Sequence, residues 1–274
     1  MYTLNCSGRL LVVDKPVVMG IINVTPDSFY PGSRVAPDAV LMQAERMLQQ
    51  GAAILDVGGQ STRPGSERVS EEEEIERVVP AIEAIMRQFP GTLISVDTYH
   101  AAVAAAAVAA GAGIVNDISS GDMDKDMLST VGKLHVPYIS MHMKGTPDNM
   151  QQQPVYENVT LEVLDHFIQK IAACRQAGIR DIILDPGIGF GKTFAHNFEL
   201  IRNLKVFAEL GKPVLLGVSR KSTIYRTLGV TADEALNGTT VLNTIGVMQG
   251  AMILRVHDVK EAVEVVKLYE AYKK

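Results

Sequence analysis

The sequence has no tryptophan, only two cysteines and few aromatic residues of any kind. Phe and Tyr together make up 5% of the 274 residues, whereas hydrophobic residues reach 47%. We therefore expect an aliphatic interior built from Val, Ile, Leu and Ala. Cys6 and Cys174 match no metal-binding or disulfide spacing, so two reduced thiols are expected, as is usual in the cytoplasm.

Long hydrophobic runs and an excess of positive charge are also missing. No apolar stretch approaches the roughly 20 residues of a membrane-spanning helix. The first residues, Met1 to Asn5, do not have a basic region followed by an apolar core, so no signal peptide is predicted. The net charge of −5 argues against a nucleic-acid surface, which needs clustered Lys and Arg. We expect a cytoplasmic protein that binds small molecules and neither nucleic acid nor a membrane.

Short apolar segments alternate with helical patterns along the chain. Two N-terminal strands are predicted at Tyr2–Asn5 and Arg9–Val13, and eight more follow: Val17–Asn23, Ala53–Gly58, Thr92–Asp97, Ile114–Asp117, Tyr138–His142, Asp181–Asp185, Val214–Val218 and Met252–Val256. The clearest helical patterns are Ala36–Gln50, Glu71–Gln88, Ala101–Ala110, Asn158–Ala177, Ala232–Gln249 and Val259–Lys273. Eight such units predict an α/β fold, a (β/α)8 TIM barrel with a short N-terminal β-hairpin, as one domain over residues 1–274. A doubly wound open sheet is the alternative.

The carboxyl ends of barrel strands meet at one mouth, where TIM barrels keep their active sites. Every predicted strand end carries a polar or charged group. Helix caps would favour Ser, Asp and Thr there, but they do not account for the cations Arg63, Lys221, Arg255 and His257. These cations predict an anionic ligand, most economically a phosphate or a diphosphate.

The sixth barrel strand ends in a glycine-rich sequence, Asp185 to Thr193, that imitates two nucleotide-binding loops. A P-loop needs four residues between its first Gly and Gly-Lys-Thr, but only three separate Gly187 from Gly191. A dinucleotide fingerprint belongs near the first strand. We expect instead that Asp185 points into the mouth and that the glycines let the backbone approach a flat ligand. A plain glycine-rich turn is the alternative.

The acidic run that follows Ser70 is interpreted as a helix start and not as a metal cluster. Ser70 as N-cap and Glu73 three residues later have the spacing of a capping box, and the acids complement the helix dipole. The histidines show no zinc spacing. A divalent ion, if bound, would be a hard cation such as Mg²⁺, held by few protein oxygens and a ligand phosphate.

Seven motifs, in order along the whole chain, resemble those of the dihydropteroate synthase family. They are Asn23-Val24-Thr25-Pro26-Asp27-Ser28-Phe29, Ser61-Thr62-Arg63-Pro64-Gly65, Ile94-Ser95-Val96-Asp97-Thr98, Asn116-Asp117-Ile118, Leu184-Asp185-Pro186-Gly187-Ile188-Gly189-Phe190-Gly191-Lys192, Ser219-Arg220-Lys221-Ser222 and Arg255-Val256-His257-Asp258. Members of this family join 4-aminobenzoate to 6-hydroxymethyl-7,8-dihydropterin diphosphate and release pyrophosphate. Two departures are Gln60, where the family more often has Glu, and the first loop, Phe29 to Arg34.

The resemblance implies roles for individual residues and a homodimer that uses Mg²⁺. The groups that hold the pterin ring are Asp97, Asn116, Asp185 and Lys221, of which Asp97, Asp185 and Lys221 are implied to be catalytic. Thr62 contacts the pterin diphosphate, and Arg255 with His257 clamps its pyrophosphate. The 4-aminobenzoate pocket is formed by Arg63, Pro64, Phe190 and Ser222. Asn23 contacts Mg²⁺.

The residue types fit this chemistry independently. Breaking a carbon–oxygen bond to pyrophosphate leaves a cation on the pterin and a highly charged anion. A buried carboxylate such as Asp97 can stabilise the cation, and Arg255, His257 and Mg²⁺ the anion. Three other functions remain open: a pterin-dependent methyltransferase domain, a sugar-phosphate isomerase or aldolase using Lys221 as a Schiff-base lysine, and a non-catalytic pterin-binding module.

Overall fold

The computed structural model describes residues 1–24, 37–60, 69–146 and 154–274. Its strands are β1 (Tyr2–Cys6), β2 (Arg9–Val13), β3 (Val17–Asn23), β4 (Ile54–Gly58), β5 (Leu93–Asp97), β6 (Ile114–Asp117), β7 (Tyr138–Met141), β8 (Ile182–Asp185), β9 (Val214–Leu216) and β10 (Ala251–Val256). Its helices are α1 (Pro37–Gln50), α2 (Glu71–Gln88), α3 (Ala101–Ala109), α4 (Met127–Leu134), α5 (Val159–Gln176), α6 (Phe194–Arg202), α7 (Leu204–Ala208), α8 (Ser222–Leu228), α9 (Leu236–Met248) and α10 (Val259–Tyr272).

Eight parallel strands close a barrel in the order β10-β3-β4-β5-β6-β7-β8-β9, and β1 and β2 form a separate antiparallel hairpin. The predicted barrel with its N-terminal hairpin is confirmed. The open-sheet alternative is wrong because the last strand pairs with the first barrel strand, with Ile253 opposite Val17. Four short helices, α4, α6, α7 and α8, were not singled out from the sequence.

The barrel strands are apolar because both of their faces are covered, one by the barrel interior and the other by helices. All residues of β4, β6, β7 and β8 are buried. Small residues let the helices approach the strands closely. A Cβ atom placed on Gly246 of α9 would lie 2.2 Å from the Leu216 side chain of β9, so any larger residue at that crossing would force the leucine to move.

The N-terminal hairpin covers the amino end of the barrel. Buried side chains from the hairpin and from seven barrel strands form one apolar layer there: Leu4, Cys6, Val13, Met19, Ile54, Ile114, Ile139, Ile183, Leu215 and Ile253. The Asn5 backbone N–H also donates to the Asp181 carboxylate at 2.7 Å. Both cysteines are buried and unpaired, as expected. Within the described ranges, no helix is both long and apolar enough to cross a membrane.

Candidate active site

The structure describes most of the predicted site residues, and they lie at the carboxyl ends of the barrel strands. Those described are Asn23, Asp97, Asn116, Asp185, Phe190, Lys221, Ser222, Arg255 and His257. Thr62, Arg63 and Pro64 lie outside the described residues, as do most of the first loop and its Phe29 to Arg34 departure.

Arg255 is the centre of a charged network that crosses the barrel mouth. Its Nε donates to Asp56 Oδ2 at 2.6 Å, and its Nη2 donates to Asp97 Oδ2. Asn116 Nδ2 donates to the same Asp56 oxygen at 3.0 Å. Four strands, β10, β4, β5 and β6, are thereby joined through side chains. Because Arg255 holds Asp97 of the predicted pterin site together with Asp56, it adjoins that site as well as the predicted diphosphate site.

Asp56 is a site residue that the sequence analysis missed. It is completely buried, and its second oxygen, Oδ1, has no hydrogen-bond partner. The available signal was an acid inside the apolar strand Ile54–Gly58, since carboxylates are almost never fully buried unless they are paired. The partner, Arg255, is 199 positions away in the chain, so the sequence alone did not reveal the pair.

Asp185 and Lys221 come together beside the Arg255 network. A Cβ atom on Gly217 would lie 3.8 Å from Lys221 Nζ and 4.0 Å from both Asp185 Oδ2 and the Arg255 Cβ. The three side chains therefore converge around Gly217, whose missing side chain leaves room between them. Asp185 also accepts a hydrogen bond from the Gly187 N–H at 2.8 Å, which fixes the orientation of its carboxylate.

Lys221 also reaches the predicted arylamine side of the mouth. Its Nζ donates to the Ile188 carbonyl at 2.6 Å and lies 4.7 Å from the centroid of the Phe190 ring. Phe190 packs against a small buried apolar cluster that includes Tyr99 and Met141. Ser222 follows Lys221 directly and opens α8. Phe190 is thus placed on the same side of the mouth as Lys221, and Ser222 is the next residue in the chain.

Burial disfavours the charged form of the titratable side chains in this cluster. It raises the pKa of Asp97 to about 7, although Arg255 lowers that pKa and Asp56 raises it further. Burial likewise raises the pKa of Asp185, against the opposing effect of Lys221. It lowers the pKa of Lys221 to about 8, with Asp185 acting in the opposite direction. Groups with strongly shifted pKa values, gathered at one mouth, are typical of a functional site.

Asp117 shows what a structural carboxylate looks like in the same part of the molecule. It accepts hydrogen bonds from the Ser119 backbone and hydroxyl, from the Gly121 N–H and from the Tyr138 hydroxyl, all at 2.6 to 2.7 Å. Four donors satisfy both oxygens. Asp117 therefore holds the turn after β6 and has little capacity left for a ligand, in contrast to its neighbour Asn116.

The glycine-rich sequence after β8 is built around a buried lysine. Lys192 Nζ donates to the carbonyls of His142, Gly187 and Phe190 at 2.9 to 3.1 Å. Gly187 has a positive φ of 66°, and a Cβ atom there would lie 2.0 Å from the His142 carbonyl oxygen. Because its ammonium group donates to three backbone carbonyls, Lys192 is not a phosphate-binding lysine. This agrees with the interpretation that the glycine-rich sequence is not a P-loop.

His257 lies one residue beyond the end of β10. Its Nδ1 is 3.0 Å from Ser219 Oγ, and its backbone N–H donates to the same hydroxyl at 3.1 Å. A bidentate pair between Arg220 and Asp258, both contacts at 2.8 Å, joins the same two loops. Ser219 and these paired groups fix His257 beside Arg255.

The start of α2 differs in part from the predicted capping box. Ser70 is the N-cap and accepts from the Glu73 N–H at 3.2 Å. The Glu73 carboxylate, however, pairs with Arg77 and not with the Ser70 N–H, so only half of the box forms.

Glu74, the next residue of α2, is buried beside Gly59, and neither of its carboxylate oxygens has a hydrogen-bond partner. Burial raises the pKa of Glu74 to about 7.

Comparisons with known proteins agree with the fold and the site. The sequence model of the pterin binding enzyme family matches residues 19–257. Dihydropteroate synthase of Escherichia coli K12 is 46% identical over 268 residues, which cover 96% of this chain and 94% of that protein. The Yersinia pestis dihydropteroate synthase, solved with a sulfonamide drug, superposes with a TM-score of 0.94 at 42% identity and 99% coverage of both chains.

A further solved structure was determined with the product of the family's reaction. Dihydropteroate synthase of Xanthomonas albilineans in complex with 7,8-dihydropteroate gives a TM-score of 0.90 at 38% identity, again with 99% of both chains covered. Barrel, strand-end charges and full-length similarity therefore agree. The chain belongs to the dihydropteroate synthase family, the pterin-binding transferases of folate biosynthesis.

Proposed function

We propose that this chain joins 4-aminobenzoate to 6-hydroxymethyl-7,8-dihydropterin diphosphate, giving 7,8-dihydropteroate and pyrophosphate, with the described strand-end residues in the roles given below. The observation that carries the proposal is the joined set of Asp97, Asn116, Asp185, Lys221 and Arg255 at one mouth of the barrel. Buried acids and bases held side by side suit a small, flat ligand that has both donors and acceptors and ends in an anion.

The pterin ring offers an exocyclic amine, ring N–H groups, a carbonyl and a bare ring nitrogen. Carboxylates of Asp97 and Asp185 accept from its N–H groups, and Asn116 and Lys221 supply donors for its acceptors. Asn116 and Asp185 are buried, and Asp97 and Lys221 are half-buried. These positions favour recognition, since a ligand lacking one matching group leaves a polar atom unpaired away from water. Phe190 and Ser222, with Arg63 and Pro64, form the arylamine side in this proposal.

The chemical step is separation of charge, and the proposed site places opposite charges on its two products. When the carbon–oxygen bond breaks, positive charge spreads over the pterin methylene and ring, and Asp97 stabilises it. The leaving pyrophosphate is stabilised by Arg255 and His257. Burial lowers the pKa of Arg255, but Asp56 and Asp97 more than offset this and raise it above its ordinary value, so it stays a cation. The arylamine is neutral near pH 7 and attacks without a strong base.

Asn23 is the proposed protein contact for Mg²⁺. It ends β3 opposite Gly58 of β4 and is half-buried at the mouth. A single neutral amide oxygen fits an ion that usually takes only one or two protein ligands and completes its shell with water and substrate phosphates. Bound there, Mg²⁺ supplies positive charge next to the diphosphate. Thr62 is the further diphosphate contact in this proposal.

The alternatives predict different products. A methyltransferase would transfer a methyl group from its pterin, and an aldolase would form a Schiff base on Lys221. The comparisons favour neither, since the relatives that match along nearly the full length are synthases. Lys221 Nζ moreover donates to the Ile188 carbonyl, and it shares the space beside Gly217 with Asp185 Oδ2.

The test is direct. The full chain is incubated with the pterin diphosphate, 4-aminobenzoate and Mg²⁺, and both pyrophosphate and dihydropteroate are quantified. We expect the two products in equal amounts, and no dihydropteroate when either substrate is omitted. Binding of the pterin without any turnover would establish a non-catalytic module and overturn the proposal.

We further propose a single domain over residues 1–274, a cytoplasmic location and a homodimer. An apolar stripe on α9 supports the dimer: Val241, Ile245 and Met248 are 49%, 39% and 50% exposed, at helical spacing. Ile245→Glu should shift the chain to monomers in analytical ultracentrifugation. Leu161→Glu, on α5 and 54% exposed, is the matched control and should leave the dimer intact. A monomeric parent chain would contradict the proposed homodimer.

A further inference from the structure

Away from the barrel mouth, three side chains with metal-ligating atoms meet on the rim. Glu71 opens α2, His100 precedes α3, and Asp124 lies in the connection between β6 and α4. One ligand atom from each, an imidazole nitrogen and two carboxylate oxygens, all lie within 4.8 Å of one another. Each residue follows a different barrel strand, so the group forms only in the folded chain.

The imidazole of His100 is only partly satisfied by the protein. Its Nδ1 lies 3.3 Å from Glu71 Oε1. Its Nε2 is buried and has no hydrogen-bond partner. A buried polar atom without a partner is uncommon in native structures and often marks an ion or a water. The imidazole thus provides an observation that points to a ligand, separate from the two acids.

Asp124 is already oriented for ligation. Its Oδ2 accepts from the Ala101 N–H at 2.7 Å, and its Oδ1 accepts from the Asp126 N–H at 2.9 Å. Each oxygen keeps a second lone pair. Metal-binding carboxylates are commonly held in this way by outer hydrogen bonds, which fix their direction before the ion arrives.

The surroundings favour a cation. The three residues line an open cleft of about 790 Å³, together with the acids Asp122 and Asp126 and one cation, Lys125. Asp122 is neutralised by Lys170. Glu71, Asp124 and Asp126 therefore outnumber the remaining fixed positive charge at the cleft, so its local potential attracts a cation and leaves room for coordinating water.

We propose that Glu71, His100 and Asp124 form a binding site for a divalent transition metal ion, of which Zn²⁺ is the natural probe. An imidazole nitrogen selects against Ca²⁺ and Mg²⁺, which take oxygen ligands, and favours the series from Mn²⁺ to Zn²⁺. The ion cross-links the start of α2 with the segments that follow β5 and β6. The segment after β5 begins directly after Asp97, and the segment after β6 begins directly after Asp117, the neighbour of Asn116. The site therefore acts as a structural clamp and is separate from the proposed Mg²⁺ contact at Asn23.

Isothermal titration of the chelator-treated full chain with Zn²⁺, in the absence of pyrophosphate, tests the proposal. We expect one ion per chain. Glu71→Gln keeps the helix start and removes one ligand. Because loss of an outer-shell partner alone weakens metal binding about 10- to 100-fold, the affinity should fall at least about 10-fold. Glu72→Gln, one position along in the same acidic run and exposed, is the matched control and should bind like the parent.

Two further readouts separate this site from others. His100→Gln should remove the nitrogen ligand, seen as a changed visible spectrum of the Co²⁺-loaded chain, whereas Asn23→Ala should leave that spectrum unchanged. Zn²⁺ should raise the melting temperature of the parent and of Glu72→Gln but not of Glu71→Gln. Equal Zn²⁺ affinity in the parent, Glu71→Gln and His100→Gln, or no binding by the parent, would overturn the proposal. Neither result depends on the proposed synthase activity.

Discussion

The two ends of the barrel differ in the polarity of their side chains. At the amino end, the hairpin and seven strands contribute an apolar layer that has no buried charge among its members. At the carboxyl end, Asp56, Asp97 and Arg255 share one buried network, with Asp185 and Lys221 beside it. The strands are continuous from one end to the other, so the difference lies in the side chains alone.

The comparison shows where stability and function are placed. Apolar burial contributes about 25 cal/mol per Å² and needs no partner of a particular geometry. Buried charges cost free energy unless each is paired, and at the carboxyl end the pairing is incomplete, since Asp56 Oδ1 and both Glu74 oxygens lack partners. We infer that the amino end stabilises the barrel, while the carboxyl end keeps charge that a substrate can use.

The largest effect is expected at Asp97. Asp97→Asn keeps the shape of the side chain and removes its charge, so it isolates electrostatics from packing. Loss of one preorganised interaction typically costs about 10²- to 10³-fold in rate. The loss should appear in kcat, while the dissociation constant of the pterin diphosphate changes little, if the carboxylate acts on the transition state. Near-normal turnover would contradict the role given to this end of the barrel.

Glu74 gives the clearest effect on stability. Burial raises its pKa to about 7, so the folded chain holds a proton that the unfolded chain releases from about pH 4.5 upward. Stability is therefore lost as the pH rises through this window. Glu74→Gln should be more stable than the parent at pH 8, by on the order of 3 kcal/mol, and nearly equal to it at pH 4.5.

Urea unfolding at both pH values provides the measurement for Glu74. The exposed Glu76 of the same helix supplies the control, since Glu76→Gln removes an equivalent charge without a burial cost. A stability difference that is the same at both pH values would show that Glu74 does not titrate in this window.

Arg255→Ala tests the assignment of the diphosphate end. Charge-assisted hydrogen bonds are worth about 1.5–3 kcal/mol each, which corresponds to roughly 10- to 100-fold in affinity. Binding of the pterin diphosphate should weaken by this factor more than binding of the same pterin without phosphate. Calorimetric titration of both ligands makes the comparison. If binding of both ligands weakens equally, Arg255 only holds Asp56 and Asp97 in place and does not bind the diphosphate.

The smallest effect is expected at the amino end. Ile183→Val removes one buried methylene from the apolar layer and should lower the free energy of unfolding by about 0.5–1.5 kcal/mol. KM and kcat should not change, because the layer has no substrate contact in this account. A changed KM would show that the apolar layer at the amino end also affects the substrate site.

The sequence predicted the barrel well because its strands are short apolar runs closed by polar residues. It predicted one helix boundary poorly. The pattern Ala232–Gln249 suggests a continuous helix, yet α9 begins at Leu236. The Glu234 carboxylate instead accepts from the Thr231 N–H and hydroxyl at 3.0 and 2.8 Å. This local turn uses residues that would otherwise extend the helix.

Parts of the site could be predicted and others could not, for a physical reason. Strand-end residues such as Asp185 and Lys221 are visible because barrel topology collects them at one mouth. Contacts such as Asp56 with Arg255, or Glu71 with His100, join residues from different β/α units. Their pairing depends on the register of the closed barrel, which the pattern of apolar residues does not specify. The roles assigned to all of the site residues stay predictions.

The central claim is that the carboxyl end stabilises a pterin cation before the amine attacks. The most direct test is to incubate the full chain with pterin diphosphate and Mg²⁺ but without 4-aminobenzoate, and to measure pyrophosphate. We expect slow release, because water can capture the cation, and a much slower release from Asp97→Asn. Pyrophosphate release that depends absolutely on the amine in the parent chain would contradict it.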